Sequence, residues 1–143
     1  MAESHDESKQ MAAFHLWFGW ATLLVFLIMG LVLEMLHGFK VAWYLDVGVE
    51  NRRLLFTLAH SHGALIGLIH LVLSANVDRM QWGRTLKTAS WSLCSATILL
   101  PGGFLLGGLV LLGSDPGLGI FLTPIGGVLL VLSVGCALRA SIR

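Results

Sequence analysis

Long runs of apolar residues, separated by short polar connections, dominate the pattern of this chain. Each run has at least the roughly 20 residues that an α-helix needs to cross a hydrocarbon core about 30 Å thick. The runs cover residues 11–36, 54–75, 89–112 and 117–138. The pattern therefore predicts an all-α fold, an integral membrane four-helix bundle. It forms one domain over residues 11–143, after a polar N-terminal tail at 1–10.

The composition agrees with a membrane protein and argues against several other classes. Of the 143 residues, 56% are hydrophobic and 12% are charged, and the mean hydropathy is +0.82. These values are far from those of an average soluble domain. Nothing resembles a basic stripe with interleaved aromatic residues, so we expect no nucleic acid partner. The glycine pairs lie inside apolar runs, which gives no support for a phosphate-binding loop.

The basic residues are divided unequally between the two ends of the predicted helices. One end carries Lys9, Arg79, Arg84, Lys87, Arg139 and Arg143. The other end carries Lys40, Arg52 and Arg53. Under the positive-inside rule, this distribution predicts that both termini lie in the cytoplasm.

Small residues recur at helical spacing within the apolar runs. Gly63 and Gly67 are four residues apart, as are Gly103 and Gly107. Such pairs let helix backbones approach closely in lipid, so we expect tight helix packing and self-association through them. The two cysteines, Cys94 and Cys136, lie within apolar runs without CxxC spacing, which predicts buried free thiols.

Three histidines, His60, His62 and His70, fall inside the second apolar run. Ionisable groups at membrane depth are costly and usually have partners. One interpretation is that a neutral imidazole nitrogen ligates iron or another metal. The alternative for His60 is a hydrogen bond to a neighbouring helix.

One face of the second predicted helix is small and polar. At about 100° per residue, this face carries His60, Gly63, Gly67, His70 and Ser74. His62 lies on the apolar side, so one helix cannot offer both His60 and His62 to the same metal. His60 follows Arg53 by seven residues, which places it about 10 Å inside the boundary. The glycines beside His60 are expected to leave room for a flat cofactor.

His15, His62 and His70 are predicted to be weaker candidates for a metal ligand than His60. His15 and His70 lie near the opposite boundary, where we expect solvent or lipid-headgroup contacts. For His62, the pattern leaves open a contact with lipid, with a neighbouring subunit, or with a cofactor held between subunits.

Several motifs resemble those of the styrene oxide isomerases, small four-helix bacterial membrane enzymes. Residues 59–61, Ala-His-Ser, followed by Gly63-Ala64-Leu65 and Gly67, resemble the motif of their second helix. Residues 38–41 resemble a turn after their first helix, and residues 119–129 resemble their fourth helix, including its proline.

The resemblance implies a cofactor, an assembly and a reaction. It implies heme b with His60 as the axial iron ligand, and a homo-oligomer, specifically a trimer, with heme near the subunit contacts. The implied reaction is the Lewis-acid isomerisation of an epoxide by ferric iron, with a small apolar substrate that enters from the lipid bilayer. It also implies a bacterial inner membrane as the location.

The chain departs from the family pattern at three positions. Ile66 aligns with an asparagine of the substrate site, Phe104 aligns with a tyrosine, and His62 stands where the family has glycine. Ile66 and Phe104, together with Leu105, are the candidates for an apolar substrate pocket. The alternatives are a non-catalytic redox or gas-sensing heme protein, with His62 or His70 of a neighbouring subunit as sixth ligand, and a cofactor-free membrane assembly factor.

Overall fold

Four long helices joined by short connections form the protein in the computed structural model, which describes residues 2–46, 50–112 and 115–142. The helices are α1 (Ala2–Gly38), α2 (Ala42–Leu45), α3 (Glu50–Asn76), α4 (Arg84–Leu109) and α5 (Leu122–Ser141). Short 3₁₀ turns at Val77–Arg79 and Leu118–Phe121 precede α4 and α5. All except α2 are long and apolar enough to cross a membrane. The predicted all-α integral membrane fold is confirmed.

The first helix begins at Ala2 and not near Met11, so the predicted polar tail is part of α1. No proline or glycine interrupts residues 2–10, and a contact with α4 holds this extension. Glu7 Oε2 accepts a hydrogen bond from Lys87 Nζ at 2.8 Å. Both side chains are about half exposed, so the pair contributes little stability, and it shows that the extension lies beside α4.

The central helices of the bundle are α3 and α4, which pack against each other. Helix α1 packs on α3 and helix α5 packs on α4, so α1 and α5 form the outer layers. Large exposed apolar side chains cover the outer faces of both, for example Trp17, Trp20, Val128 and Val131. A continuous apolar surface of this kind is suited to contact with lipid.

Both chain ends lie at the same end of the bundle. The Gln81 backbone N–H, between α3 and α4, donates to the Ala140 carbonyl near the end of α5 at 2.8 Å. The Glu7–Lys87 pair joins the start of α1 to the same region. An even number of spans produces this arrangement.

The two glycine pairs hold helices of the same chain together. Gly67 faces Gly19 and Leu23 of α1, and Gly63 faces the ring of Phe26. On the other side of the bundle, Gly103 packs against Thr123 and Gly107 packs against Ile120. The expected close approach of backbones is present between helices of one chain, where neighbouring helices and the turn before α5 cover both pairs. Self-association stays a prediction.

The neighbouring glycines Gly126 and Gly127 of α5 offer a matched test of this packing. A Cβ on Gly126 would lie 2.7 Å from Leu100 Cα, whereas a Cβ on Gly127 would meet nothing within 4 Å. We expect Gly126→Ala to lower the free energy of unfolding in detergent by about 1–3 kcal/mol. Gly127→Ala should leave it unchanged or raise it by up to about 1 kcal/mol, because alanine favours the helix. Equal effects of the two substitutions would contradict this packing.

Candidate functional site

His60 lies on α3 against α1, and its ring is held in one orientation. Its Nδ1 lies 2.6 Å from the Phe26 carbonyl oxygen. Since a carbonyl only accepts, Nδ1 must carry the hydrogen, and Nε2 is left with a free lone pair. Gly30 of α1 makes room for the ring, because a Cβ there would lie 2.8 Å from His60 Nδ1.

The Nε2 atom of His60 reaches the surface of the chain. Among the described residues, the one fully buried side-chain nitrogen or oxygen without a hydrogen-bond partner is Thr123 Oγ1. His60 is half-buried, and Nε2 has no hydrogen-bond partner among those residues, so this nitrogen is not completely buried. It lies beside Gly30 of α1, where a Cβ would be 3.0 Å from it. An oriented imidazole nitrogen with a free lone pair is chemically able to bind a metal.

The space beside His60 differs from the expectation. The Phe26 ring fills the space over Gly63, and Leu23 lies against Gly67. These glycines therefore serve the contact between α1 and α3, and a flat cofactor has no room directly over them within one chain. A cofactor at His60 has to approach from the outer surface.

His62 points to a different part of the bundle. Its Nδ1 N–H donates to the Leu58 carbonyl at 2.8 Å, and its ring centroid lies 5.1 Å from that of Phe104 on α4. Ile66 is fully buried in the core between α3 and α4. The structure thus brings His62, Phe104 and Ile66 towards the α4 side of α3, whereas His60 contacts α1.

His15 and His70 form a buried pair between α1 and α3. Both side chains have 0% exposure, and their Nδ1 atoms lie 2.6 Å apart. The rings are stacked, with centroids 4.8 Å apart. The expectation of solvent or headgroup contacts is therefore wrong, because each imidazole finds its polar partners inside the protein.

Two hydroxyl groups of α4 complete this pair. Ser90 Oγ lies 2.8 Å from His15 Nε2, and Thr97 Oγ1 lies 2.8 Å from His70 Nε2. Thr97 donates its only hydrogen to the Leu93 carbonyl at 2.7 Å, so it must accept from His70 Nε2–H. His70 Nδ1 then accepts from His15 Nδ1–H, and His15 Nε2 accepts from Ser90. Every donor and acceptor in this chain of hydrogen bonds is satisfied with both imidazoles neutral.

Cys94 of α4 lies beside the histidine pair. Its Sγ and one nitrogen of each imidazole all lie within 4.8 Å of one another. The thiol is free, as predicted, but it is half-buried and not fully buried. This cluster was not predicted from the sequence, although two signals were present. His15 and His70 were placed at a similar depth, and Cys94 lies one turn from both Ser90 and Thr97 on α4.

Comparisons with known proteins give the chain no family assignment. No family model matches it, and no curated protein or solved structure is significantly similar to it.

Proposed function

We propose that this protein binds heme b in the membrane, with Nε2 of His60 as the axial iron ligand. The observation that carries the proposal is the hydrogen bond from His60 Nδ1–H to the Phe26 carbonyl. Metal-ligating histidines commonly donate their other ring N–H to a carbonyl or carboxylate, which fixes the tautomer and the ring orientation. His60 has this arrangement within an apolar span.

The residues around His60 restrict where the heme would lie. Because α1 covers the adjacent glycines, the heme would lie on the outer surface of the chain, where Leu27 and Leu31 of α1 are exposed. A second copy of the chain would then cover the other side of the cofactor. This favours a homo-oligomer, and the trimer is the form that the resemblance to styrene oxide isomerases implies.

The reaction class proposed for this site is the isomerisation of a small apolar epoxide that partitions from the bilayer. A heme held by one histidine would supply Lewis acidity to the epoxide oxygen. In this chain, His60 holds the group and the Phe26 carbonyl keeps its ring oriented. Ile66 of α3 faces α4, and Phe104 of α4 packs against the same core cluster. We therefore assign both residues to the core and not to the iron site. We further propose a bacterial inner membrane location with both termini in the cytoplasm.

His62 favours one alternative function. Its Nδ1 N–H also donates to a backbone carbonyl, that of Leu58, and its Nε2 has no hydrogen-bond partner among the described residues. A second histidine, from a neighbouring subunit, would occupy the remaining coordination position of the iron and exclude Lewis-acid chemistry. The protein would then be a redox or gas-sensing heme protein.

The absorption spectrum of the purified protein tests these proposals. We expect one heme b per chain, measured as the pyridine hemochrome, and a ferric Soret band typical of high-spin iron with one histidine ligand. Sharp low-spin α and β bands would instead support the closed, non-catalytic heme site. A preparation that binds no heme after reconstitution would overturn the proposal and favour a cofactor-free assembly factor.

A further inference from the structure

Side chains with metal-binding atoms converge from three helices in the half of the bundle that contains the chain ends. His15 comes from α1, His70 from α3 and Cys94 from α4, and their ligand atoms lie within 4.8 Å of one another. We infer that these three residues form a copper(I) site, separate from His60. The inference does not depend on heme binding.

The Nε2 atom of each imidazole is hydrogen-bonded to a hydroxyl group of α4, and His70 Nε2–H already donates as a metal-ligating histidine would. His15 Nε2 contacts Ser90 Oγ and His70 Nε2 contacts Thr97 Oγ1, each at 2.8 Å. These hydroxyls orient the rings so that the two Nδ1 atoms face each other, and one nitrogen of each ring lies within 4.8 Å of Cys94 Sγ. Hydrogen bonds to the distal nitrogens of ligating histidines are a general feature of protein metal sites.

Metal binding requires a simple rearrangement of protons. In the metal-free chain, His15 Nδ1–H donates to His70 Nδ1, so one of the two facing nitrogens carries a hydrogen. On binding, His15 changes tautomer and carries its hydrogen on Nε2, and the Ser90 hydroxyl changes from donor to acceptor. His70 keeps its Nε2–H bonded to Thr97. Cys94 becomes a thiolate and releases one proton to water, so the balance is one proton released for each copper ion bound.

The facing nitrogens must also separate slightly. They lie 2.6 Å apart, whereas two nitrogens that each lie about 2.0 Å from one metal are typically more than about 3 Å apart. The two imidazoles must separate by up to roughly an ångström, and Cys94 Sγ must approach them, because a sulfur about 2.3 Å and a nitrogen about 2.0 Å from one metal lie at most about 4.3 Å apart.

Ligand type and charge select copper(I) over zinc(II). Thiolate and imidazole suit copper(I), which is a soft ion. Copper(I) with one thiolate is neutral, whereas zinc(II) would leave a net positive charge in an apolar interior and would require a fourth ligand. The cluster among the described residues offers three ligands. The carboxylate of Glu7, which lines the same groove as Cys94, is about half exposed and paired with Lys87.

A groove connects this cluster to the water-facing end of the bundle. It has a volume of about 570 Å³, with Glu7 and Lys87 among the residues of its lining, and Ser90 and Cys94 also line it. Met11 lines the same groove and brings a thioether, a further soft donor, close to the path. The groove therefore extends from the polar end of the bundle to Ser90 and Cys94.

A competition titration tests the copper site. The full-length protein, purified in mild detergent and stripped of metal, is titrated without oxygen with copper(I) against a chromophoric copper(I) chelator. We expect one copper(I) per chain. Cys94→Ser should weaken binding by at least about 100-fold, and Thr97→Val, which removes a hydrogen bond to a ligand, by about 10–100-fold. Cys136→Ser is the matched control, because this cysteine is also free and half-buried but lies on α5, and it should leave the affinity unchanged.

The same titration on His60→Ala separates this inference from heme binding. Copper(I) binding should persist in that variant whether or not heme is lost. Circular dichroism of each variant checks that the helices remain. An affinity in Cys94→Ser equal to that of the wild type, no stoichiometric copper, or tight binding of zinc(II) alone would overturn the copper site. In the last two cases, the cluster would be a structural hydrogen-bond chain or a zinc site.

Discussion

Replacing His70 with leucine is expected to lower the free energy of unfolding of the metal-free protein by about 2–4 kcal/mol. His15 Nδ1–H, fully buried, would lose its acceptor, and the packing against the Phe18 ring, whose centroid lies 4.9 Å from that of His70, would change. His15→Leu should have a similar effect, because it leaves the His70 Nδ1 lone pair without a donor. Exposed His37, at the other end of α1, provides the control, and His37→Leu should be neutral.

The double substitution makes this prediction specific. With leucine at both positions, no imidazole remains unpaired, and Thr97 still donates to the Leu93 carbonyl. Since replacing both partners of a buried hydrogen bond by apolar groups costs far less than removing one, we expect the double variant to lose clearly less than the sum of the single losses. The free energies of unfolding of the wild type, the two single variants and the double variant are measured in a denaturing detergent with a chelator present. Additive losses would mean that the two rings do not depend on each other.

The fold could be predicted from the sequence because the membrane imposes it. Apolar runs long enough to span a bilayer can only be helices when their backbone must be satisfied internally. The start of α1 was predicted less well. Residues 5–10 are polar and carry no membrane signal, so the apolar pattern could not extend the helix to them.

The candidate sites show what a helical wheel of one helix cannot predict. The helical wheel correctly placed His60, Gly63, Gly67 and His70 on one face of α3, and that whole face packs on α1. It did not tell which helix would cover the face. The glycines were therefore interpreted as space for a cofactor, and the buried pairing of His15 and His70 was missed. Which helices are neighbours decides both the space beside the glycines and the pairing of His15 with His70. This depends on the packing of the complete bundle.

The histidines His60 and His62 of α3 provide the sharpest comparison for heme binding. Both donate Nδ1–H to a backbone carbonyl, but His60 bonds to Phe26 of the neighbouring helix and His62 bonds to Leu58 within its own helix. The bond across helices fixes the His60 ring relative to α1. The two side chains are therefore similar in sequence context, but the Nε2 atom of each faces a different part of the protein surface.

His60→Ala is expected to abolish the Soret band of the purified protein and to leave its helix content unchanged, because the bond to iron is lost while the apolar spans remain. Gly30→Leu should have nearly the same effect without removing any ligand, since a side chain there would displace the His60 ring. His62→Ala, the matched control, should retain heme. An unchanged spectrum in that variant means that the iron keeps an open position, whereas a change from low spin to high spin would identify His62 as the sixth ligand. Full heme occupancy with an unaltered spectrum in His60→Ala would show that the iron is held elsewhere and that the assignment of His60 is wrong.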